Sequence, residues 1–365
     1  MICRTGIATL PLHAGRTPRW LFERMVRLAR AVLEALVEDI GPPGVLARLA
    51  DPFWFQAFGC LLGFDWHSSG VTTTVCGALK EAVRGREADL GLVVAGGKGR
   101  TSRQTPEELR RSGDRFGLDA DRLVSTSRLV AKVDSAAVQD GYQIYHHTLV
   151  ATLDGRWAVV QQGMRPADRT ARRYHWWGDR VRSFVCEPHA AVCCDRTGPT
   201  LNLVAAESEP ARAAITRIAR ERTEVLVAEL RRLAAAPPAH LILPHRHILD
   251  PTRDVHPDRL RRALEQTYRA QAPSFEALLG LPGVGARTLR ALALLSEVLA
   301  GAPASWRDPA RFAFAHGGKD GHPYPVDREV YDRTIAVLEE AVRRAQVGDP
   351  ERLAALRRLH AFVRT

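Results

Sequence analysis

The sequence predicts an α+β fold in which a mixed α/β domain over residues 1–209 precedes an all-helical domain over residues 210–365. Short apolar runs of strand length alternate with helical patterns before residue 205, and helical periodicity replaces them after Pro210. The length of 365 residues also suits two domains better than one.

The first predicted domain begins with helices and continues with short strands. An apolar stripe of helical period predicts a helix over residues 20–37, which a Pro-Pro-Gly run at 42–44 should break. An apolar run at 90–95, a glycine loop at 96–99 and a helix start at Thr105 predict a strand–loop–helix unit. Further strands are predicted over residues 142–153, 157–162, 184–194 and 200–204.

The second predicted domain is helical throughout. Apolar residues recur there at helical spacing, and segments rich in proline, glycine or histidine separate the helices. The predicted helices cover residues 213–235, 257–271, 275–279, 287–300 and 330–347.

Composition indicates which class of partner the protein binds and in which cellular compartment it is found. The net charge is +11 and the isoelectric point about 9.9, which favours a polyanionic partner. No apolar stretch is long enough for a membrane span, and residues 1–16 lack the pattern of a secretory signal. Six cysteines without a Cys-x-x-Cys pair are typical of the reducing cytoplasm, which is the predicted location.

A glycine-rich turn within residues 275–292 is the most specific motif. The segment resembles the helix-hairpin-helix motif of DNA repair proteins, in which glycines permit a tight turn whose N–H groups face a phosphate. Only four of the 52 basic residues are lysine, and two of these lie in Gly-Gly-Lys loops. The predicted DNA-contacting residues are Gly283, Val284, Gly285, Arg287 and Arg290, joined by Lys98 and Lys319 from those loops.

Titratable residues concentrate in the first predicted domain. Acids and histidines can position a divalent metal, Mg²⁺ or Mn²⁺, that activates water against a phosphodiester. His146 and His147 lie on one predicted strand and should point to opposite faces, so one of them at most enters a given site. The predicted catalytic residues are Asp65, His67, Lys132, Asp134, Asp140 and His147, and the predicted metal ligands are Asp134, Asp140, Glu187 and His189.

Several segments together resemble an archaeal and bacterial family known only as a domain of unknown function, number seven-six-three. The resemblance covers roughly residues 5–345 and implies no activity, but it does imply that both predicted domains belong to one protein. The segments that carry it are FDWHSSGVTTT at 64–74, AGGKG at 95–99, KVDS at 132–135, QDGY at 139–142, VQQG at 160–163, EPH at 187–189 and GGKDG at 317–321.

The favoured hypothesis is a metal-dependent nuclease that binds DNA through largely sequence-independent backbone contacts and acts in repair or recombination. One alternative is a helix-hairpin-helix glycosylase whose catalytic acid is Asp327. Against it, Arg287 stands where the lyase lysine of the bifunctional glycosylases would fall, and arginine is not deprotonated in proteins. Another alternative is a DNA-structure-binding protein without catalysis. The sequence predicts no membrane partner and leaves homo-oligomer formation open.

Overall fold

A five-stranded antiparallel sheet in the order β1-β3-β4-β5-β6 lies at the centre of the protein, and helices pack on both of its faces. This computed structural model confirms the mixed α and β class with a helical C-terminal part. No helix in the described ranges combines the length and the hydropathy needed to span a bilayer. Those ranges are residues 17–64, 70–167, 170–194, 196–235, 257–310, 328–345 and 347–363.

The strands of the described residues form two sheets, because β2 and β7 make a separate antiparallel pair. The strands are β1 Leu92–Lys98, β2 Val138–Gln139, β3 Gln143–Thr152, β4 Trp157–Arg165, β5 Thr170–Trp177, β6 Ala191–Cys193 and β7 Leu201–Asn202.

The helices pack their apolar sides into two hydrophobic cores, one on each face of the central sheet. The α-helices of the described residues are α1 Arg19–Ala50, α2 Pro52–Leu61, α3 Gly70–Val83, α4 Glu87–Leu90, α5 Thr105–Phe116, α6 Ala120–Lys132, α7 Glu209–Ile218, α8 Thr223–Ala235, α9 Pro257–Ala270, α10 Phe275–Gly280, α11 Ala286–Ala300, α12 Arg328–Arg344 and α13 Asp349–Val363.

The two cores distinguish the two faces of the sheet. Helices α5 to α11 pack on what we call the first face, and α1, α2, α3, α12 and α13 pack on the second face. Each core draws residues from both sides of residue 209: Val159 and Leu292 share the first core, and Val32 and Ala341 share the second. The domain boundary at residue 209 stays a prediction.

Two predicted interruptions have different outcomes. The break predicted at the proline run is found next to it, at Gly41, whose φ of 69° and ψ of 167° are not helical and divide α1 into two helical stretches. The glycine loop at 96–99, by contrast, does not interrupt the strand, since β1 runs on to Lys98. Gly96 makes this possible, because a Cβ there would lie 2.2 Å from the carbonyl oxygen of His147 on β3.

Candidate functional site

A buried carboxylate is the centre of a polar network on the first face. Asp134 lies in a single turn of π-helix, Val133–Ala137, that continues α6, and its side chain is fully buried. Its Oδ2 accepts hydrogen bonds from Gln161 Nε2 at 2.5 Å and Trp176 Nε1 at 2.9 Å, and its Oδ1 accepts from His189 Nε2 at 2.5 Å. Three donors thus replace water around this carboxylate.

Hydrogen bonds of fixed direction extend this network to Ser127 on α6. Since Gln161 donates from its Nε2 to Asp134, its Oε1 is the acceptor, and His147 Nδ1 donates to it at 2.7 Å. The other ring nitrogen of His147, Nε2, then accepts from the Ser127 hydroxyl at 2.8 Å. Burial lowers the pKa of His147, although its bond to Gln161 opposes the shift, so the imidazole is neutral as this pattern requires.

His189 ends the network near the protein surface. Its side chain is 7% exposed, and its ring lies edge-on to the Trp176 ring with 4.6 Å between centroids. Within the described part of the chain, Nδ1 of His189 makes no hydrogen bond. Two residues earlier, Glu187 has a φ of 43°, a conformation that non-glycine residues rarely adopt. Such backbone conformations, like the π-turn that carries Asp134, are concentrated at functional sites.

Asp140, a predicted catalytic residue and metal ligand, belongs to a separate buried ion pair. Its Oδ2 accepts from Arg172 Nη1 at 2.9 Å and from the Tyr174 hydroxyl at 2.6 Å, and its Oδ1 accepts from Tyr142 N at 3.0 Å. Arg172 also donates from Nη2 to Asp308 Oδ2 at 2.8 Å. The sequence carries no signal for this second partner, because 136 positions separate the two residues.

The four predicted metal ligands are not brought together. Asp134 contacts His189, Asp140 pairs with Arg172, and Glu187 accepts from Arg307 Nη2 at 3.0 Å. Over the described ranges, no group of three or more histidine, cysteine, aspartate or glutamate side chains is arranged to hold a metal ion. These residues therefore do not fit a Mg²⁺ or Mn²⁺ centre on their own. The remaining acid and histidine of the catalytic prediction, Asp65 and His67, lie outside the described residues.

A five-residue turn over residues 281–285 joins α10 to α11 at the surface. Gly283 is exposed and has a φ of 76°, which glycine adopts without strain. Within the described residues, the backbone N–H groups of Gly283 and Gly285 donate to no acceptor. The 15-residue α11 has no acidic residue in its first turn and no side-chain N-cap. Its positive end is therefore open beside the turn.

The inner side of this turn is held by Lys132, at the end of α6. Lys132 Nζ donates to the carbonyl oxygens of Leu281 at 2.9 Å and Val284 at 2.5 Å. Burial lowers the pKa of this half-buried ammonium. Lys132, a predicted catalytic residue, thus contacts the turn itself. It lies two positions before Asp134, so one short segment reaches both the turn and the buried network.

The remaining predicted DNA-contacting residues have different surroundings. Arg287 is exposed on the first turn of α11, whereas Arg290 Nε donates to Gln139 Oε1 at 2.8 Å. The side chain of Val284 is buried in the first core. Lys98 is exposed at the end of β1, with Nζ 5.9 Å from the centroid of the Tyr145 ring. Lys319 and the alternative catalytic residue Asp327 lie outside the described ranges.

A groove opens between this turn and α9. Its volume is about 490 Å³, and Gln266 Oε1 on its wall would lie 3.0 Å from a Cβ placed on Gly283. The groove is lined by Arg262, Glu265, Gln266, Arg269, Ala270 and Leu281. The sequence predicts the α9 helix but no function for it, and the most informative feature of this segment is the charged stripe opposite its apolar side.

The second face carries a row of buried polar side chains that belong to none of the predicted sites. His146, Gln162 and Arg173 are cross-strand neighbours on β3, β4 and β5, and all three are buried. His146 and His147 do point to opposite faces, as predicted. Burial lowers the pKa of His146 to about 3. In the described chain, Nδ1 of His146 and Nε2 of His175 are buried without a hydrogen-bond partner.

Comparison with known proteins supplies a family and no activity. No curated protein and no solved structure matches the chain. One family model, described as "Protein of unknown function (DUF763)", matches residues 6–326, which is most of the sequence and covers the sheet, the buried network and the turn. The chain therefore belongs to the DUF763 family.

Proposed function

We propose that this protein binds the phosphate backbone of DNA at the turn over residues 281–285. The observation that carries the proposal is the pair of open N–H groups on Gly283 and Gly285 beside the uncapped positive end of α11. Backbone N–H groups at a helix N-terminus bind anions well because their dipoles add to the hydrogen bonds. The exposed guanidinium of Arg287 adds positive charge on the same turn of helix.

The arrangement of Lys132 supports this proposal. Because its ammonium binds the carbonyl oxygens of Leu281 and Val284, it neutralises the negative ends of two peptide groups on the inner side of the turn. The turn is then held in one conformation before any ligand arrives, which lowers the entropy cost of binding. Contacts of this kind go to phosphates and carry no base information, so binding should depend little on sequence.

The test compares two glycines, one at each end of the turn. Gly285 and Gly280 both have open space where a Cβ would be added, and neither has a positive φ. Gly285→Val places bulk where the phosphate should sit, while Gly280→Val adds the same bulk at the end of α10. Binding of a fluorescein-labelled 20-base-pair duplex is followed by anisotropy at several salt concentrations.

We expect Gly285→Val to weaken binding by at least about tenfold, the equivalent of one lost charge-assisted hydrogen bond. Gly280→Val should bind as the wild type does, and wild-type affinity should fall steeply with salt as counterions are released. Equal affinity of the two variants would show that DNA does not bind at the turn.

A second candidate is metal-dependent cleavage of the bound backbone, in repair or recombination, although the described residues form no metal centre on their own. The observation that favours a reaction is the Asp134–His189 contact, two positions from the lysine that holds the turn. A buried carboxylate that orients an imidazole is a common arrangement in hydrolytic sites. Purified protein should cut labelled DNA in Mg²⁺ or Mn²⁺ and stop in EDTA, and His189→Ala should lose cleavage while retaining binding. Cleavage that survives chelation would contradict the metal dependence.

A further inference from the structure

The groove beside the turn is built from one face of α9. Arg262, Glu265, Gln266, Arg269 and Ala270 follow the i, i+3, i+4, i+7, i+8 pattern that places side chains on one side of a helix. The opposite side of α9 carries Leu260 and Leu264, which are buried in the first core. The polar stripe therefore has a fixed orientation, because burial of the apolar side prevents the helix from rotating.

The far wall of the groove is the DNA-binding turn proposed above. Leu281, the first residue of the turn, lines the groove opposite α9. Gln266 reaches toward Gly283, so the groove and the open N–H groups are neighbours. A strand whose phosphate binds at the turn would bring the adjacent nucleotide to the mouth of the groove.

We infer that this groove receives one unpaired nucleotide of the bound DNA, an inference that rests on the proposed function. Its volume of about 490 Å³ is within the range of small-ligand sites. Arg262 and Arg269 are exposed guanidinium groups, which stack on bases and pair with phosphates. Between them, Glu265 and Gln266 offer the carboxylate and amide groups that hydrogen-bond to base edges. Base pairs in an intact duplex are stacked, and reaching the groove would require a base to leave its stack.

The experiment compares two labelled DNA molecules by anisotropy. One is a 20-base-pair duplex, and the other is the same duplex with a single unpaired cytidine in the middle. We expect the wild type to prefer the bulged duplex by at least about fivefold, the lower end of what stacking one base supplies. Equal affinity for the two molecules overturns the inference and leaves the proposed function standing.

A matched pair of variants separates the groove from the turn. Ala270 and Ala300 are both exposed and both end a helix, but only the first lines the groove. Ala270→Trp should fill the groove, abolish the preference for the bulge and leave binding of the intact duplex unchanged. Ala300→Trp should behave as the wild type. A preference that survives Ala270→Trp overturns the inference. If neither DNA binds the wild type, the proposed function fails and the inference falls with it.

Discussion

The buried network around Asp134 and the surface turn over residues 281–285 differ in how many of their hydrogen-bonding groups are occupied by partners within the protein. Around Asp134, both carboxylate oxygens are occupied by protein donors and water is excluded. At the turn, the inner carbonyl groups are occupied by Lys132, whereas the outer N–H groups of the glycines have no acceptor in the described chain. A buried polar group that lacks a partner costs free energy, whereas an exposed group can remain available to a ligand at little cost. The comparison separates residues that hold the fold from residues that can bind.

The largest effect is expected from Asp134→Ala. The substitution leaves the donors of Gln161, Trp176 and His189 buried without their common acceptor. Each buried donor left without an acceptor costs about 1–3 kcal/mol, so the three together should cost at least about 3 kcal/mol. We therefore expect the free energy of unfolding, measured with urea, to fall by that amount. Glu187→Ala, which removes an exposed carboxylate near the same histidine, should cost less than about 1 kcal/mol. Similar losses for the two variants would contradict the claim that the network holds the fold.

A pH-dependent effect should follow from the buried histidines. Burial lowers the pKa values of His146, His147 and His175 below the ordinary 6.5, so the unfolded chain takes up protons near that pH that the folded chain does not. The unfolding free energy should therefore fall as pH drops below about 6.5, and each histidine contributes up to about 1.4 kcal/mol per pH unit until the pH reaches its own pKa in the folded protein. Above that pH these residues contribute no pH dependence.

Substitution of one histidine isolates its share of this slope. His175→Gln removes one titrating group and retains a side-chain donor for the carbonyl oxygen of Leu49, which His175 Nδ1 contacts at 3.0 Å. Urea denaturation between pH 5 and pH 8 should show a slope shallower by about one proton in this variant. An unchanged slope would mean that His175 is protonated in the folded protein.

A smaller effect is expected where the two regions meet. Lys132→Met keeps an unbranched side chain that is one atom shorter and removes the ammonium that contacts Leu281 and Val284. We expect a loss of about 1–3 kcal/mol in unfolding free energy, because two carbonyl groups lose a charged donor. DNA binding should weaken as well, since the turn is no longer held in its binding conformation. Retention of full affinity would show that the turn does not need this support.

Local patterns in the sequence predict most of the elements but few of the contacts. The helix over residues 287–300 and the strands at 142–153 and 157–162 are found within a few positions of their predicted bounds, because periodicity reports which side of an element is buried. His146 and His147 point to opposite faces of the sheet for a similar reason, because successive side chains alternate along any strand. The predicted strand over 184–194 is reduced to Ala191–Cys193, because Glu187 adopts a positive φ that no strand allows.

The contacts that define the candidate site depend on residues far apart in the chain. Lys132 lies 149 positions from Leu281, and Asp134 lies 55 from His189. Nothing in the local sequence distinguishes a lysine that supports a turn from one that stabilises a reacting phosphate. For the same reason, the pairing of Asp140 with Arg172 cannot be predicted from local sequence, because only the folded chain brings β5 close to the residue that follows β2.

The most direct test of DNA binding at the turn is a transverse-relaxation-optimised NMR spectrum of ¹⁵N-labelled protein, titrated with a 20-base-pair duplex. The amide signals of Gly283 and Gly285 should shift during the titration, because their N–H groups gain phosphate acceptors. The amide of Gly301, at the other end of α11, already donates to Glu297 O and should stay in place. Shifts elsewhere in the spectrum with Gly283 and Gly285 unmoved would contradict the account.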